Sequence, residues 1–325
     1  MVSNLITPAM AAQSISPTHI RIDASTRCQL RCPICVASGA ETFLGRGTLS
    51  FDHFKMLLDK NPQIRQVELA SKGEAFLNRQ LSDILRYAHE KNVATSIDHG
   101  VNLNDASTET LEALVKYQTT GVRVAIDGAT QETYQKYRIG GDLRRVMDNI
   151  IKINRFKDKY ASPLPALVFQ FIVFGHNEHE MRQAVTLARM LKMDIYFQMN
   201  HTPDAFPVRD RDLVRQWLGY ADRKEYAVKK KRDYSRHVCF QMWRSPQINW
   251  DGKLLGCSRN WQHAFAENVF EDDLITCINN DGMRYTRDVL MGKKAPREDT
   301  PCRQCPPYLW LAEHGDWISE SEIEL

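Results

Sequence analysis

Three cysteines near the N-terminus form the pattern with the clearest chemical meaning in this chain of 325 residues. Cys28, Cys32 and Cys35 lie in the segment Cys-Gln-Leu-Arg-Cys-Pro-Ile-Cys. A structural zinc ion takes four protein ligands, whereas an iron–sulfur cluster bound by three thiolates leaves one iron open to another molecule. The spacing therefore predicts a metal centre with one open position. A zinc site, or three unrelated thiols, is the alternative.

A second group of cysteines lies in the C-terminal third of the chain. Its members are Cys239, Cys257, Cys302 and Cys305. Taken alone, four cysteines that include a Cys-x-x-Cys pair favour structural zinc. The segment 246–257 predicts a short hairpin that turns at Asp251-Gly252. The eighth cysteine, Cys277, belongs to neither pattern, and a single cysteine is usually a small buried hydrophobe.

Alternating strand and helix patterns between residues 19 and 200 are the elements that must position these cysteines. They predict an α/β fold in which helices cover a parallel sheet. The predicted strands are 19–24, 66–70, 93–97, 121–126, 166–174 and 194–200, and the predicted helices are 50–60, 79–91, 108–117, 131–156 and 178–191. Active residues are expected at the carboxyl ends of the strands, and the first three cysteines follow the first strand.

The composition indicates a globular protein. Hydrophobic residues make up 43% and charged residues 26% of the chain, and the net charge is only +3. We expect no nucleic-acid partner, no membrane span and a cytoplasmic location, because no long apolar run and no basic secretory start is present. Eight cysteines in a cytoplasmic chain point to metal rather than disulfides.

A basic segment interrupts the alternation of strands and helices. Residues 209–236 contain ten lysines and arginines against five aspartates and glutamates. A solvated helix and linker is the simpler interpretation. The alternative is a rim that attracts an anionic substrate such as a sugar phosphate or a nucleotide.

The Cys-x-x-x-Cys-x-x-Cys spacing resembles that of the radical S-adenosylmethionine (SAM) superfamily. The resemblance implies a partial (β/α)6 barrel, a [4Fe–4S] cluster on Cys28, Cys32 and Cys35, and SAM bound at the free iron. One electron from the cluster would cleave SAM to methionine and a 5′-deoxyadenosyl radical.

The resemblance also implies contacts to SAM. Ser71-Lys-Gly-Glu-Ala is similar to the Gly-Gly-Glu-Pro segment of the family, with only the central Gly-Glu retained. Ile34 occupies the position that flanks the adenine, and Arg138 lies in a segment similar to the Tyr-Arg-Gly of the branch with cysteine-rich extensions. Asn102 and Asp127 follow the third and fourth predicted strands, on the expected catalytic rim, and Gln170 is a polar residue within an apolar strand. The candidate cofactor-binding residues are therefore Gly73, Glu74, Ile34, Asn102, Asp127, Arg138 and Gln170. An ordinary turn at Gly73-Glu74, a surface arginine at Arg138 and a satisfied core amide at Gln170 are the alternatives.

The C-terminal cysteines resemble the twitch domain, a shortened SPASM extension that binds one auxiliary [4Fe–4S] cluster. This implies two clusters in all and a likeness to aminoglycoside-pathway dehydrogenases and epimerases. The implied segments are an N-terminal arm (1–18), the radical SAM partial barrel (19–205), the basic linker or helix (206–236) and the auxiliary cluster domain (237–325).

These resemblances imply hydrogen abstraction from a small molecule. Dehydrogenation is expected if the auxiliary cluster accepts an electron, and epimerisation if Cys277 returns a hydrogen atom. Only 18 residues precede the first predicted strand, so we expect a sugar, aminocyclitol or nucleoside rather than a peptide held by an additional N-terminal domain. A ribosomal peptide, a methyl- or sulfur-transfer reaction and a non-enzymatic, zinc-stabilised binding module remain alternatives. The expected electron donor is a flavodoxin or ferredoxin.

Overall fold

The structure is a computed structural model that describes residues 14–38 and 43–323. Residues 1–13 of the predicted N-terminal arm lie outside the described residues. The strands are β1 (His19–Ile22), β2 (Gln66–Glu68), β3 (Ala94–Val101), β4 (Gly121–Ala125), β5 (Ala166–Val173), β6 (Asp194–Met199), β7 (Gln247–Ile248) and β8 (Leu254–Gly256). The six strands predicted before residue 200 are confirmed.

Thirteen α-helices follow among the described residues. They are α1 (Phe51–Lys60), α2 (Leu81–Glu90), α3 (Thr108–Lys116), α4 (Gln131–Tyr137), α5 (Leu143–Lys159), α6 (Met181–Met190), α7 (Arg211–Leu218), α8 (Arg223–Lys230), α9 (Gln241–Arg244), α10 (Leu274–Ile278), α11 (Asp281–Leu290), α12 (Pro306–His314) and α13 (Glu320–Ile323). Short 3-10 helices span Val36–Ser38, Ala75–Leu77, Glu178–Glu180 and Arg236–Phe240.

One sheet joins both parts of the chain. Its order is β6-β5-β4-β3-β2-β1-β7-β8, parallel throughout except for the final β7–β8 hairpin. The α/β class is confirmed, and the six consecutive parallel strands agree with a partial barrel. The predicted turn at Asp251-Gly252 lies between β7 and β8, with Gly252 at a φ of +94°. The hairpin therefore extends the sheet beside β1, the strand that precedes the first three cysteines.

The core lies between the sheet and the helices that cover it. On β1, Ile20 and Ile22 are fully buried, as are Phe54 and Leu57 of α1. Arg21, between the two isoleucines, is only partly buried, so β1 presents an apolar face to the helices and a polar face to the other side. Ser50, the residue before α1, accepts a hydrogen bond from the N–H of His53 and so fixes the start of that helix.

The single helix predicted over 131–156 is wrong in one respect. The chain forms α4 and α5 with a break between them, because Gly140 has a φ of +90° and Asp142 caps the start of α5 by accepting from the N–H of Arg145. A β-carbon on Gly141 would lie 2.6 Å from the hydroxyl oxygen of Tyr134, so only glycine fits there. The break places Arg138 at the end of α4 rather than on a continuous helix.

Candidate functional site

The N-terminal cysteine set, Cys28, Cys32 and Cys35, lies in the loop at the carboxyl end of β1. The N–H of Cys35 donates to the carbonyl of Cys32 at 3.1 Å, which turns the end of this segment. A separate apolar cluster surrounds the loop and keeps it largely dry. Its members are Leu30, Tyr137, Ile172, Phe174 and the partly buried Ile34 and Phe206, together with the three cysteines.

The electrostatics of this set suit a cationic cluster. Burial raises the pKa of the Cys28 thiol to about 12, and the charges of Glu74, Cys32 and Cys35 act in the same direction. Burial also raises the pKa of Cys32, although the charge of Arg138 opposes it. Iron deprotonates a thiol that it binds and compensates the mutual repulsion of the thiolates. The three cysteines therefore fit the ligand set of an iron–sulfur cluster.

No three histidine, cysteine, aspartate or glutamate side chains in the described part of the chain converge tightly enough to hold a single metal ion. A [4Fe–4S] cubane binds each cysteine sulfur at a different iron atom, so its ligands lie farther apart than the ligands of one zinc ion. The spacing of these cysteines therefore agrees with a cluster rather than with a single ion.

Two side-chain N–H groups contact sulfur atoms of the N-terminal set. Asn102 Nδ2 lies 3.8 Å from Cys28 Sγ, and Arg138 Nη1 lies 3.7 Å from Cys32 Sγ. Asn102 is held in place by Gln29, whose Nε2 donates to Asn102 Oδ1 at 2.9 Å. Donors of this kind orient thiolate ligands and tune the potential of a cluster.

Arg138 also forms a buried ion pair with Asp127. Its Nε and Nη2 lie 2.6 Å and 2.5 Å from Asp127 Oδ2, and the aspartate side chain is fully buried. Asp127 Oδ1 accepts from the N–H of Ile172 on β5 at 2.7 Å. Two predicted cofactor-binding residues thus form one rigid unit beside Cys32. Their contact with SAM remains a prediction.

Gly73 and Glu74 brace the cysteine loop against the end of β2. Gly73 has a φ of +70°, and a β-carbon there would lie 2.5 Å from the carbonyl oxygen of Ser25. The N–H of Glu74 donates to the carbonyl of Arg27 at 2.7 Å. Its carboxylate accepts from the N–H of Asn102 at 2.6 Å, and burial raises its pKa to about 7. The geometry shows this bracing, and their contact with SAM stays a prediction.

The other two predicted SAM contacts lie on different elements. Ile34 packs on the apolar cluster around the cysteines. Gln170 is buried on β5 opposite Gly100, where a β-carbon would lie 2.9 Å from Gln170 Nε2. Gly100 therefore lets β3 approach the amide closely.

The C-terminal cysteine set combines three separate segments. Cys239 lies in the 3-10 helix Arg236–Phe240, Cys257 follows β8, and Cys305 caps α12 with its N–H bonded to the carbonyl of Cys302 at 2.9 Å. Burial raises the pKa of the Cys302 thiol well above its usual value, and the charges of Cys257, Cys239 and Cys305 add to this. The fold thus brings the four thiols into one neighbourhood.

Cys277 is buried on α10 and packs in the main hydrophobic core. Burial raises the pKa of its thiol, followed by the charges of Asp272 and Asp273. Its role as a hydrogen donor remains a prediction.

Several charged residues were missed by the sequence-based predictions. Arg21 on β1 and Arg123 on β4 each lie between two buried apolar residues, and Lys72 lies beside the predicted Gly73-Glu74. A charge in the middle of a strand that is otherwise apolar is the signal that identifies the first two, because strands of a parallel sheet are usually buried on both faces.

A cavity of about 300 Å³ lies elsewhere, between the end of β6 and the linker helices. Met199, Asn200, Arg211, Asp222 and Lys224 are among its lining residues, and no predicted site residue is. It is therefore separate from the cysteine sets. None of the helices that the structure describes is long and apolar enough to cross a bilayer.

Residues 239–306 match the SPASM family, described as an iron–sulfur cluster-binding domain. A curated relative, the GTP 3′,8-cyclase of Listeria welshimeri, is 25% identical over 182 residues, which cover 55% of this chain and 53% of the relative. The chain thus matches about half the length of that curated relative.

Two solved structures share the fold. SuiB of Streptococcus suis bound to S-adenosylmethionine has a TM-score of 0.65 and 14% identity, covering 96% of this chain and 78% of SuiB. BtrN in complex with AdoMet and 2-DOIA has a TM-score of 0.52 and 14% identity, covering 89% of this chain and 93% of BtrN. The chain therefore has the radical SAM fold and carries a SPASM-like iron–sulfur domain in its C-terminal part.

Proposed function

We propose that the protein is a radical SAM enzyme that abstracts hydrogen from a polar small molecule, such as a sugar, aminocyclitol or nucleoside, and gives dehydrogenation or epimerisation. The SPASM match and the fold shared with SAM-bound structures support [4Fe–4S] clusters and SAM as its cofactors. When bound, the cluster on the N-terminal set supplies the electron that cleaves SAM to a 5′-deoxyadenosyl radical.

The residues of the chain hold and orient the reactants. Arg138 and Asn102 direct N–H groups at the ligand sulfurs, and the Arg138–Asp127 pair fixes the position of that guanidinium. The apolar cluster of Leu30, Tyr137, Ile172 and Phe174 excludes water from the loop. Exclusion of water protects a carbon radical from side reactions.

The position of Lys72 supports a substrate site between the two cysteine sets. The N–H of Lys72 donates to Asp23 Oδ1 at 2.8 Å, and its Nζ lies 5.4 Å from the centre of the Trp261 ring. Lys72 thus stands between the strand end that leads into the N-terminal set and the segment that follows Cys257. Charged groups in this position suit a polar substrate better than an apolar one.

A ribosomal peptide is the second candidate substrate. It is favoured by the likeness to SuiB, which has also been solved with its precursor peptide SuiA at a TM-score of 0.65.

The experiment that separates these substrates uses reduced, cluster-loaded protein and SAM under anaerobic conditions. A cell extract is divided into a peptide-free fraction of polar small molecules and a peptide fraction, and each is added. We expect the small-molecule fraction to increase 5′-deoxyadenosine formation above the background. Stimulation by the peptide fraction alone would assign the enzyme to peptide modification instead.

A further inference from the structure

Segment 316–323, which follows α12, reaches back to the 3-10 helix that carries Cys239. Arg236 is the first residue of that 3-10 helix, and only 3% of it is exposed. A buried guanidinium needs hydrogen-bond acceptors and a negative charge beside it. Segment 316–323 provides both.

Four hydrogen bonds join Arg236 to this segment. Its Nη1 and Nη2 donate to Glu322 Oε1 and Oε2 at 2.9 Å and 3.0 Å, which is the bidentate geometry of an arginine–carboxylate pair. Nη2 also donates to the carbonyl of Trp317 at 3.0 Å, and Nε donates to the carbonyl of Asp316 at 3.2 Å. The carboxylate of Asp316 adds a second negative charge, with Oδ2 at 3.1 Å from Nε. The guanidinium is therefore held in one orientation.

Arg236 and Cys239 lie on the same side of their 3-10 helix. They are three positions apart, which is one turn of such a helix, and side chains at this spacing eclipse each other. Burial raises the pKa of the Cys239 thiol well above its usual value, and the charge of Arg236 opposes this effect. The contacts that fix Arg236 therefore also fix the turn that presents Cys239.

The same segment contacts the helix that begins at the Cys-x-x-Cys pair. The Trp317 ring centre lies 6.2 Å from the ring centre of Tyr308 on α12, the helix that Cys305 caps. On its other side, a β-carbon on Gly292 would lie 2.6 Å from the Trp317 ring, so this close approach requires glycine. One segment thus contacts two of the three elements that carry the C-terminal cysteines.

Two glutamates of the segment differ in their surroundings. Hydrogen bonds from Arg236 lower the pKa of Glu322 to about 2, so this carboxylate is charged at neutral pH. Its side chain is 31% exposed. Glu320 pairs with Lys293 at 3.0 Å, and its side chain is 76% exposed. Solvent screens an exposed charge, so only Glu322 places its charge beside the Cys239 helix.

We propose that Arg236, held by Glu322 and Asp316, is a positioning residue of the auxiliary iron–sulfur cluster: it orients Cys239, and its ion-pair network sets the charge beside that cluster. This inference rests on the proposed function, since it concerns the second cluster of that enzyme. The reduction potential of an iron–sulfur cluster depends on the charges around it. A nearby carboxylate disfavours the added electron, so the loss of its charge should raise the potential.

The test uses the full chain with Cys28→Ala, Cys32→Ala and Cys35→Ala, reconstituted anaerobically, so that the C-terminal set holds the only cluster. Three further changes are compared in this background, namely Glu322→Gln, Glu322→Asp and the control Glu320→Gln. A redox titration followed by electron paramagnetic resonance gives the midpoint potential, and an iron chelator measures the rate of iron release. Circular dichroism checks that each variant is folded at the assay temperature.

The two changes at Glu322 separate geometry from charge. We expect iron release to be faster by about tenfold or more in both, because each loses a charge-assisted hydrogen bond of the bidentate pair. We expect a positive shift of the midpoint potential only in Glu322→Gln, because Glu322→Asp keeps the negative charge. Glu320→Gln removes the same charge from an exposed position and should match the background in both measurements.

The inference fails if Glu322→Gln and Glu320→Gln behave alike in both measurements. It also fails if Glu322→Gln releases iron faster without a shift of the potential, because the segment then only stabilises the fold. Absence of iron from the background protein would refute the second cluster of the proposed function and this inference with it. A background protein that binds about four irons, but whose Glu322 variants do not differ from it, refutes this inference alone.

Discussion

The two cysteine sets differ in what surrounds their sulfur atoms. In the N-terminal set, side-chain N–H groups of Asn102 and Arg138 point at the sulfurs of Cys28 and Cys32. In the C-terminal set, the described part of the chain provides no side-chain donor to sulfur, and backbone turns such as that from Cys305 to Cys302 shape the site.

This difference separates a reactive site from an enclosed one. A cluster with an open iron needs polar groups that orient a ligand beside it, and the Arg138–Asp127 pair lies there. A cluster with four protein ligands needs only enclosure, which the buried Cys239 and Cys302 indicate. We therefore expect substitutions at the N-terminal set to abolish SAM cleavage and substitutions at the C-terminal set to spare it.

The largest expected effect follows from removing the N-terminal ligands. Cys28→Ala, Cys32→Ala and Cys35→Ala together should abolish 5′-deoxyadenosine formation, because no thiolate remains to hold the cluster. About four irons should stay bound at the C-terminal set. Chromatography of the SAM products and an iron assay measure this, and residual cleavage by the triple variant would break the comparison.

The reciprocal variant, at the C-terminal set, sharpens the comparison of the two cysteine sets. Cys302→Ala with Cys305→Ala should also remove about four irons, the content of one cubane, while reduced protein still cleaves SAM. The same two assays apply. Full iron content, or loss of all cleavage in a folded protein, would show that the two sets do not divide the work in this way.

Removing the guanidinium beside Cys32 tests the polar surroundings of the N-terminal set. Arg138→Gln leaves the carboxylate of Asp127 buried without its partner and should lower the free energy of unfolding by about 3–5 kcal/mol. Arg211→Gln removes an exposed ion pair and should lower it by no more than about 1 kcal/mol. Thermal unfolding compares them, and Asp127→Asn should partly rescue Arg138→Gln. Equal effects of the two single variants would contradict the role of the pair.

Gly73 tests the bracing of the cysteine loop. Gly73→Ala adds a β-carbon 2.5 Å from the backbone of Ser25, whereas Gly219→Ala, at a φ of +82°, meets nothing within 4 Å. The control should lose roughly 1–2 kcal/mol from the left-handed conformation alone. Gly73→Ala should lose more and should also lower iron binding at the N-terminal set. If Gly73→Ala is as stable and binds as much iron as the control, Gly73 does not brace the cysteine loop.

The smallest expected effect on stability is that of Cys277→Ala, about 1 kcal/mol for a small buried side chain. In a dehydrogenase, turnover should continue and yield a ketone without solvent deuterium. In an epimerase, the variant should form 5′-deoxyadenosine yet not complete the inverted product, and the wild type should place one deuterium from heavy water at the inverted carbon. Mass spectrometry of the product decides between them.

The sequence predicts the elements better than the site. The pattern of apolar residues located all six parallel strands, because strand residues such as Val122 and Val124 must be buried between the sheet and the helices that cover it. The break after Arg138 was missed, since the pattern of α4 and α5 continues across it and only Gly140 signals a positive φ. The pairing of β7 with β1 was missed as well, because residues as distant in sequence as Arg21 and Gln247 come together only through the fold.

Metal analysis of the anaerobically reconstituted wild-type protein tests the central claim most directly. Two cubanes require about eight irons and about eight sulfides per chain, and the reduced protein should then convert SAM to 5′-deoxyadenosine. Stoichiometric zinc without iron uptake or SAM cleavage would contradict the claim and leave a zinc-stabilised binding module.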